Sequence, residues 1–425
     1  MLFSPFHKLK FFKDIMIIVN TFSIIICYRQ YFIFMIPFEE AYAIMTEAAI
    51  SFGTERVELE EAEGCVLAED CYADADMPPF DKSMMDGFAC RKADLNLPLK
   101  VVGSVPAGSV PSRPLSKGEC MRISTGGMAP PGADHILKKE DAEETSPGWV
   151  QCRFILDESN IYPMGRDMKK GGLLLKSGSR LAPPHIAVLA SAGIKKPLVA
   201  VKPRVAVLST GNELVTPGEV PGPAAIRDSN GLQLAAQAGR MGLDARYLGI
   251  ARDEKPLIRE MAGNALEQFD VVMISGGVSV GDHDHVPEVL QELGVQILFH
   301  RIKAKPGRHL LFGVKEKRFV FGFPGNPVSS FVQFEMIVKP FLLKCMGLQE
   351  ESASLVMPLA SDLINDSPGL RVFLPVRFTS GGMAEPLEYH GSAHIHAYAF
   401  TQGILQISPG IEMLKKGTPV HVRPL

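Results

Sequence analysis

The chain has 425 residues, enough for about three domains. Its 46% hydrophobic and 21% charged residues, with 39 glycines and 32 prolines, exclude a disordered chain and describe a folded, turn-rich, multidomain protein. A formal net charge of −3 excludes bulk electrostatic attraction to nucleic acid, so an anionic ligand has to be gripped locally.

Residues 1–34 carry basic residues and the apolar run Ile15–Cys27, which is shorter than a spanning helix needs and contains Asn20, Thr21 and Ser23. No small-residue cleavage site follows, so this extension reads as an upstream start error with translation beginning at Met35, or else as an anchor; membrane association is the weaker reading. Apolar residues at helical spacing predict a helix from Phe38 to Ala49, and strand-like pieces follow between Val57 and Asp76. Residues 77–165 are dense in Pro and Gly with short Val/Ile/Leu runs, which predicts a small β-rich domain. A helix opening on Pro183 and Pro184 is expected over 183–194. Together, 35–76 and 166–202 are expected to form one split domain around the 77–165 insertion.

From 203 to 348 the pattern changes. Short β-branched runs ("PRVAVLS", "DARYLGIA", "DVVMIS", "VQILFHRI") alternate with helical patterns at 229–242, 255–267 and 285–293. That alternation predicts a central doubly wound α/β domain with a largely parallel sheet. Strand patterns return in 349–425 as "RVFLPVRF" and "GILQISPG", giving a C-terminal β domain. The fold class is therefore a mixed α/β multidomain protein, its central α/β domain flanked by β-rich domains. Seven cysteines, scattered and never spaced Cys-x-x-Cys, support neither a disulfide framework nor a zinc knuckle, and suit a reducing compartment.

In such sheets ligands bind outside the carboxyl ends of strands. "VAVLSTGNELV" ends a strand on Ser209, Thr210 and Gly211 with Glu213 beyond; exposed hydroxyls there can hold an anion, though an ordinary turn would look the same. "IRDSNG" puts Asp228 and Ser229 before a helix, where one of them is expected to cap and Asn230 to face a phosphate. In "SGGVSVGDHDH", Gly276 and Gly277 let the backbone approach a ligand, and Ser275 and Ser279 add hydroxyls. Asp282 and Asp284 follow at once, and acids beside a phosphate cradle call for a cation between them, so Mg²⁺ shared by carboxylate and ligand is expected. His283 and His285 bring no third soft ligand, which leaves zinc the weaker alternative. "RIKAKPGRHLLFG" places Arg301, Lys303 and Lys305 on one face if it is a strand, with Arg308 nearby. "FGFPGNPVSSF" reads as a rigid turn in which Asn326 caps a helix begun by Pro327. "MPPFDKSMMDGFA" holds Asp81, Lys82, Ser83 and Asp86, and "MRISTGGMAPPGAD" enters a Ser-Thr-Gly-Gly turn.

With "FDKSMMDGFA", "RISTGG", "STGNEL", "SGGVSVGD" and "FPGNPVS" in this order, the chain from Met35 to its end resembles the molybdopterin molybdenumtransferase family, which includes the gephyrin E domain. The resemblance implies an elongated, cytoplasmic homodimer whose α/β domain binds molybdopterin. It also implies the activity: molybdate enters the dithiolene of adenylylated molybdopterin, and Mg²⁺-dependent hydrolysis releases AMP. Adenylylated molybdopterin and molybdate are then the ligands, and molybdopterin adenylyltransferase and molybdoenzymes the partners. By motif, the resemblance assigns Asp86 and Thr125 to the first half's contribution across a dimer interface. Glu213, Asp253 and Asp284 become the acidic, Mg²⁺-binding and catalytic set. Lys305, Pro324 and Pro327 line the site, and Ser392 of "GSAH" reaches in from the last domain. The chain departs from the family where "NIYPMGRD" (160–167) keeps only Arg166 and Asp167 of a basic run, and where Pro375 stands in place of an arginine that Arg371 or Arg377 would have to replace. In "YHGSAHIHAYAF", His394 and His396 are expected to share a strand face in a surface role. The alternatives are a molybdopterin adenylyltransferase and a non-catalytic molybdopterin-binding scaffold.

Overall fold

The computed structural model describes residues 35–154, 157–279, 284–348 and 354–425. The extension 1–34, with the start-site and anchor readings attached to it, lies outside them, as do Asp282 and His283. Among the described residues no helix is long and apolar enough to cross a membrane.

The α/β unit is built on β1 (Val205–Thr210), every residue of which is buried. Because side chains alternate along a strand, Val205 and Val207 enter one apolar cluster while Ala206 and Leu208 enter another on the opposite face. The chain continues through α1 (Asn230–Arg240), β2 (Ala245–Ala251), α2 (Lys255–Gln268), β3 (Val271–Ser275), α3 (Val286–Glu292), β4 (Gln296–Arg301), β5 (His309–Lys315), β6 (Arg318–Phe323) and α4 (Pro327–Gln333). The sheet runs β2-β1-β3-β6-β5-β4, parallel across its first four strands and antiparallel at β6–β5 and β5–β4. Leu234 and Ala238 of α1 pack on one face, and Ile258, Ala262 and Ala265 of α2 on the other. The sheet is therefore doubly wound, as the alternating sequence pattern predicts. β1 stands between the two strands that follow it, so the carboxyl ends of β1 and β3 flank the switch point.

Phenylalanines fill one face. Phe312 stacks on Phe319 at 6.0 Å, and Phe341 meets Phe319 edge-on at 4.8 Å. The helix Phe38–Ala48 buries Ala41 and Met45 in this same cluster, and Phe38 packs edge-on against Phe373 at 5.3 Å. That cluster joins Val66 and Ala200, from the segments the sequence groups with this helix, to residues of the α/β unit and of the C-terminal sheet.

Thr54–Arg56 pairs with Leu198–Ala200, and Cys71–Tyr72 with Leu173–Leu175, so the chain on either side of residues 77–165 rejoins. Between them lies a six-stranded sheet that includes Gly87–Cys90, Leu99–Val105 and Glu119–Ile123. In the C-terminal unit Arg371–Phe378 pairs with Gly403–Ile407 on one side and, on the other, with Ala304 and Lys305 from the α/β unit. Arg423 ties the two units again by donating to the Glu335 carbonyl at 2.6 Å. Residues 395–400 form a 3-10 helix, so His394 and His396 do not share a strand face. A strand pattern of two fits that stretch, but the contact of the buried Tyr398 with Phe331 (5.1 Å) packs it as a turn.

Phe312 is fully buried among aromatic partners. Phe312→Ala is expected to cost about 3–5 kcal/mol, read as a lower urea midpoint for the transition that includes the α/β unit.

Candidate functional site

Gly276 and Gly277 end β3 with φ of +92° and +62°. A Cβ on Gly276 would lie 2.3 Å from the Thr210 carbonyl oxygen; one on Gly277 would lie 2.8 Å from Thr210 Oγ1 and 2.9 Å from Val286 Cγ2. The two strand ends therefore touch backbone to backbone, which requires glycine twice over, for conformation and for space. Gly276 N donates to the Phe323 carbonyl at 3.0 Å, and Asn230 Nδ2 donates to Ser275 Oγ (2.9 Å) and the Gly325 carbonyl (2.8 Å). One amide side chain thus binds the ends of β3 and β6 to the start of α1.

Ser209, Thr210, Asp228 and Ser275 are all buried. Asp228 accepts from Tyr247 Oη at 2.6 Å and from Gly231 N at 3.1 Å, so it is the capping residue, and Ser229 makes no side-chain cap bond. The sequence reading that these hydroxyls are exposed is corrected: they shape the loop from beneath. Gly276 and Gly277 are half-buried and Ser279 is exposed on its open side.

Glu213 and Asp253 both lie at the turn after β1. The Glu213 carboxylate lies over Gly211, where a Cβ would sit 2.6 Å from Oε2. Asp253 Oδ2 accepts from Asn212 N at 3.0 Å, while Asn212 Oδ1 accepts from Asp253 N at 3.1 Å. Asp284 lies two residues before α3, half-buried. Among the described residues no three His, Cys, Asp or Glu side chains are grouped closely enough to hold a metal by themselves. This donor set does not suit a closed zinc cage. It fits a hard cation that takes one or two carboxylates and draws its other oxygens from ligand and water.

A cavity of about 370 Å³ lies beside α4, lined among others by Lys305, Arg308, Pro324, Asn326 and Ser392. Three of the four lining residues expected from the sequence therefore share one space. The fourth, Pro327, opens α4, whose Val328 N donates to the Ser392 carbonyl at 3.1 Å. Asn326 occupies the cap position but makes no side-chain cap bond. The basic residues do not form one strand face, because β4 ends at Arg301 and the chain bends at Lys303 before Ala304–Lys305 joins the C-terminal sheet. Lys305 Nζ meets both oxygens of Asp366 at 2.7 Å and Ser367 Oγ at 3.1 Å. Of the two arginines considered beside Pro375, Arg371 pairs with Glu39 and Arg377 with Glu385.

Sequence reasoning passed over His300 and His309. The β4–β5 register pairs Arg301 with His309, which brings two imidazoles nine residues apart to 6.4 Å between ring centroids. His300 is 3% exposed and its Nε2 bonds to the carbonyl of Val278 in the glycine loop. Burial holds both imidazoles below the ordinary 6.5. The antiparallel hairpin around "KPG" is the signal that would have found them.

Asp86 and Thr125 meet in the small β-rich unit. Thr125 N and Oγ1 donate to Asp86 Oδ1 at 2.7 and 3.0 Å and hold that carboxyl below its usual range. Both are exposed, and their hydrogen bonds stay within that unit. In the 160–167 loop, Tyr162 lies between Lys82 (5.1 Å) and Arg166 (4.9 Å) and bonds to Asp167.

A doubly wound domain with a glycine turn at its switch point, set between β-rich units, defines a class of multidomain ligand-binding proteins. The sequence narrows it. Family descriptions match in order along the chain: "MoeA N-terminal region (domain I and II)" over 36–193, "Probable molybdopterin binding domain" over 206–344, and "MoeA C-terminal region (domain IV)" over 357–425. A molybdopterin molybdenumtransferase of Staphylococcus epidermidis is 32% identical over 376 residues, covering 86% of this chain and 90% of that protein. One from Staphylococcus aureus is 31% identical over 398 residues, covering 91% and 95%. The crystal structure of a molybdopterin biosynthesis moeA protein from Pyrococcus horikoshii OT3 superposes with a TM-score of 0.79 at 30% identity, covering 92% of this chain and 100% of that one. The chain belongs to the molybdopterin molybdenumtransferase family.

Gly276→Ala forces a Cβ onto the Thr210 carbonyl, and we expect a loss of at least about 2 kcal/mol in thermal or denaturant unfolding. For His300, the unfolded chain takes up a proton as pH falls through about 6.5 while the buried ring resists it. Its contribution is whole above that pH and is lost below it, so the fall in Tm between about pH 7 and 5 should flatten in His300→Gln.

Proposed function

We propose that this chain inserts molybdenum from molybdate into adenylylated molybdopterin and releases AMP. The observation that carries the reading is the arrangement along one edge of the α/β unit. A glycine turn that brings amides to the surface at the switch point is flanked by Glu213, Asp253 and Asp284, and the cavity nearby presents Lys305 and Arg308. Amides and cations there suit the phosphates and the oxyanion, and the carboxylates suit a cation and a water. Family membership supports the same substrates.

In this reading one or two of Glu213, Asp253 and Asp284 would hold Mg²⁺, with the remaining oxygens supplied by ligand and water. When bound, that ion neutralises phosphate charge and lowers the barrier to cleavage. The chain's own groups do the rest. The amides from Gly277 to Ser279 seat the phosphates, and a carboxylate of the acidic set orients the attacking water and accepts its proton. Lys305 and Arg308 draw molybdate towards Pro324 and Ser392. Asp86 and Thr125 act from a second copy of the chain in a homodimer, completing the site from the other side. The protein works in the cytoplasm, where molybdopterin adenylyltransferase supplies its substrate and molybdoenzymes take its product.

The test is AMP release from adenylylated molybdopterin with Mg²⁺ and micromolar molybdate. We expect AMP only when molybdate is present, and Glu213→Ala and Asp284→Asn, folded by circular dichroism, should each lower the rate at least about 100-fold. Normal rates in both variants would defeat the assignment.

A further inference from the structure

The cation best placed in the 370 Å³ cavity is already engaged by this chain's own carboxylate. Lys305 Nζ sits 2.7 Å from each oxygen of Asp366, with Ser367 Oγ at 3.1 Å, and Lys305 holds that carboxyl below its usual range. Both partners are fixed by their backbones. Lys305 pairs in parallel register with Val372, and Asn365 is buried, donating from Nδ2 to the Ile411 carbonyl at 2.7 Å and accepting from Ser367 N at 3.0 Å. Yet the Asp366 side chain is 76% exposed. It carries no core packing, and its described side-chain partner across the fold is the lysine.

We propose that Asp366 is an internal competitor for the anionic ligand at Lys305, and so sets the affinity and selectivity of the cavity for oxyanions. The inference rests on reading the cavity as the anion end of the site. An incoming dianion must displace the carboxylate from the ammonium or bind against it. A monoanion or a weakly charged oxyanion competes less well than a full dianion, so the contact discriminates by charge. The last domain thus presents an acid to the lysine that lines this cavity.

Molybdate alone is the probe, titrated calorimetrically into the full chain and into Asp366→Asn, Lys305→Ala and the double variant. An exposed pair of this kind is worth up to about 1 kcal/mol, so Asp366→Asn should bind molybdate about fivefold more tightly. The gain should vanish in the Lys305→Ala background, which separates competition at the lysine from a general loss of negative charge. Phosphate titrated at about pH 6 and pH 8 should show a smaller preference for the dianion in Asp366→Asn. Unchanged or weaker binding in Asp366→Asn, with Lys305→Ala still weakened, overturns the proposal and leaves the cavity reading intact. Binding indifferent to Lys305→Ala, or absent from every variant, overturns the cavity reading itself.

Discussion

The close approach of two strand ends governs the site. β1 and β3 run side by side with Ser209 opposite Ser275, and their turns touch with no room for a side chain at Gly276 or Gly277. A backbone brought that near must satisfy its polar groups locally. The neighbouring strand β6 takes the Gly276 amide, Asn230 spans to Gly325, and Asp228 holds α1 and Tyr247 beneath. The acids sit around this knot because the turns that carry them start from it. Asp253 follows β2 at the level of Asn212, and Asp284 follows the glycine loop. Remove the contact and the carboxylates lose their common frame.

Charge is sorted along the resulting edge. Glu213 and Asp253 stand at the β1–β2 end, while Lys305 and Arg308 stand past β6, beside the C-terminal unit. With a net charge of only −3, the protein achieves this by placement rather than by bulk. His300 connects the two regions, since it hangs from β4 on the cationic side and bonds to the carbonyl of Val278 inside the glycine loop.

Much of this was legible in the sequence, and the physics says which parts. Uninterrupted β-branched runs broken by helical periods can bury both faces of a sheet in only one general way, so β1, β2, β3 and their helices fall within a few residues of expectation. Gly-Gly after a strand announces a tight approach for the same reason. Short polar segments were harder. Whether Ser209 faces ligand or core depends on where Tyr247 and Gly231 come to rest, and nothing in residues 205–215 encodes that. The row Arg301, Lys303, Lys305 has the period of a strand, but Ile302 and Ala304 are drawn into the core and the chain leaves the sheet to pair with Arg371 and Val372. His300 and His309 meet through a hairpin register, a relation between segments that no local pattern carries.

The cavity beside α4 has walls from two units. Lys305 is a residue of the α/β unit that is stitched into the C-terminal sheet, and Val328 at the start of α4 is hydrogen-bonded to Ser392 of the opposite wall. The width of the cavity is therefore a joint coordinate of both bodies, like the gap of a caliper whose jaws are fixed to separate arms. A substitution in either unit can therefore change the shape of this cavity without altering any residue that lines it.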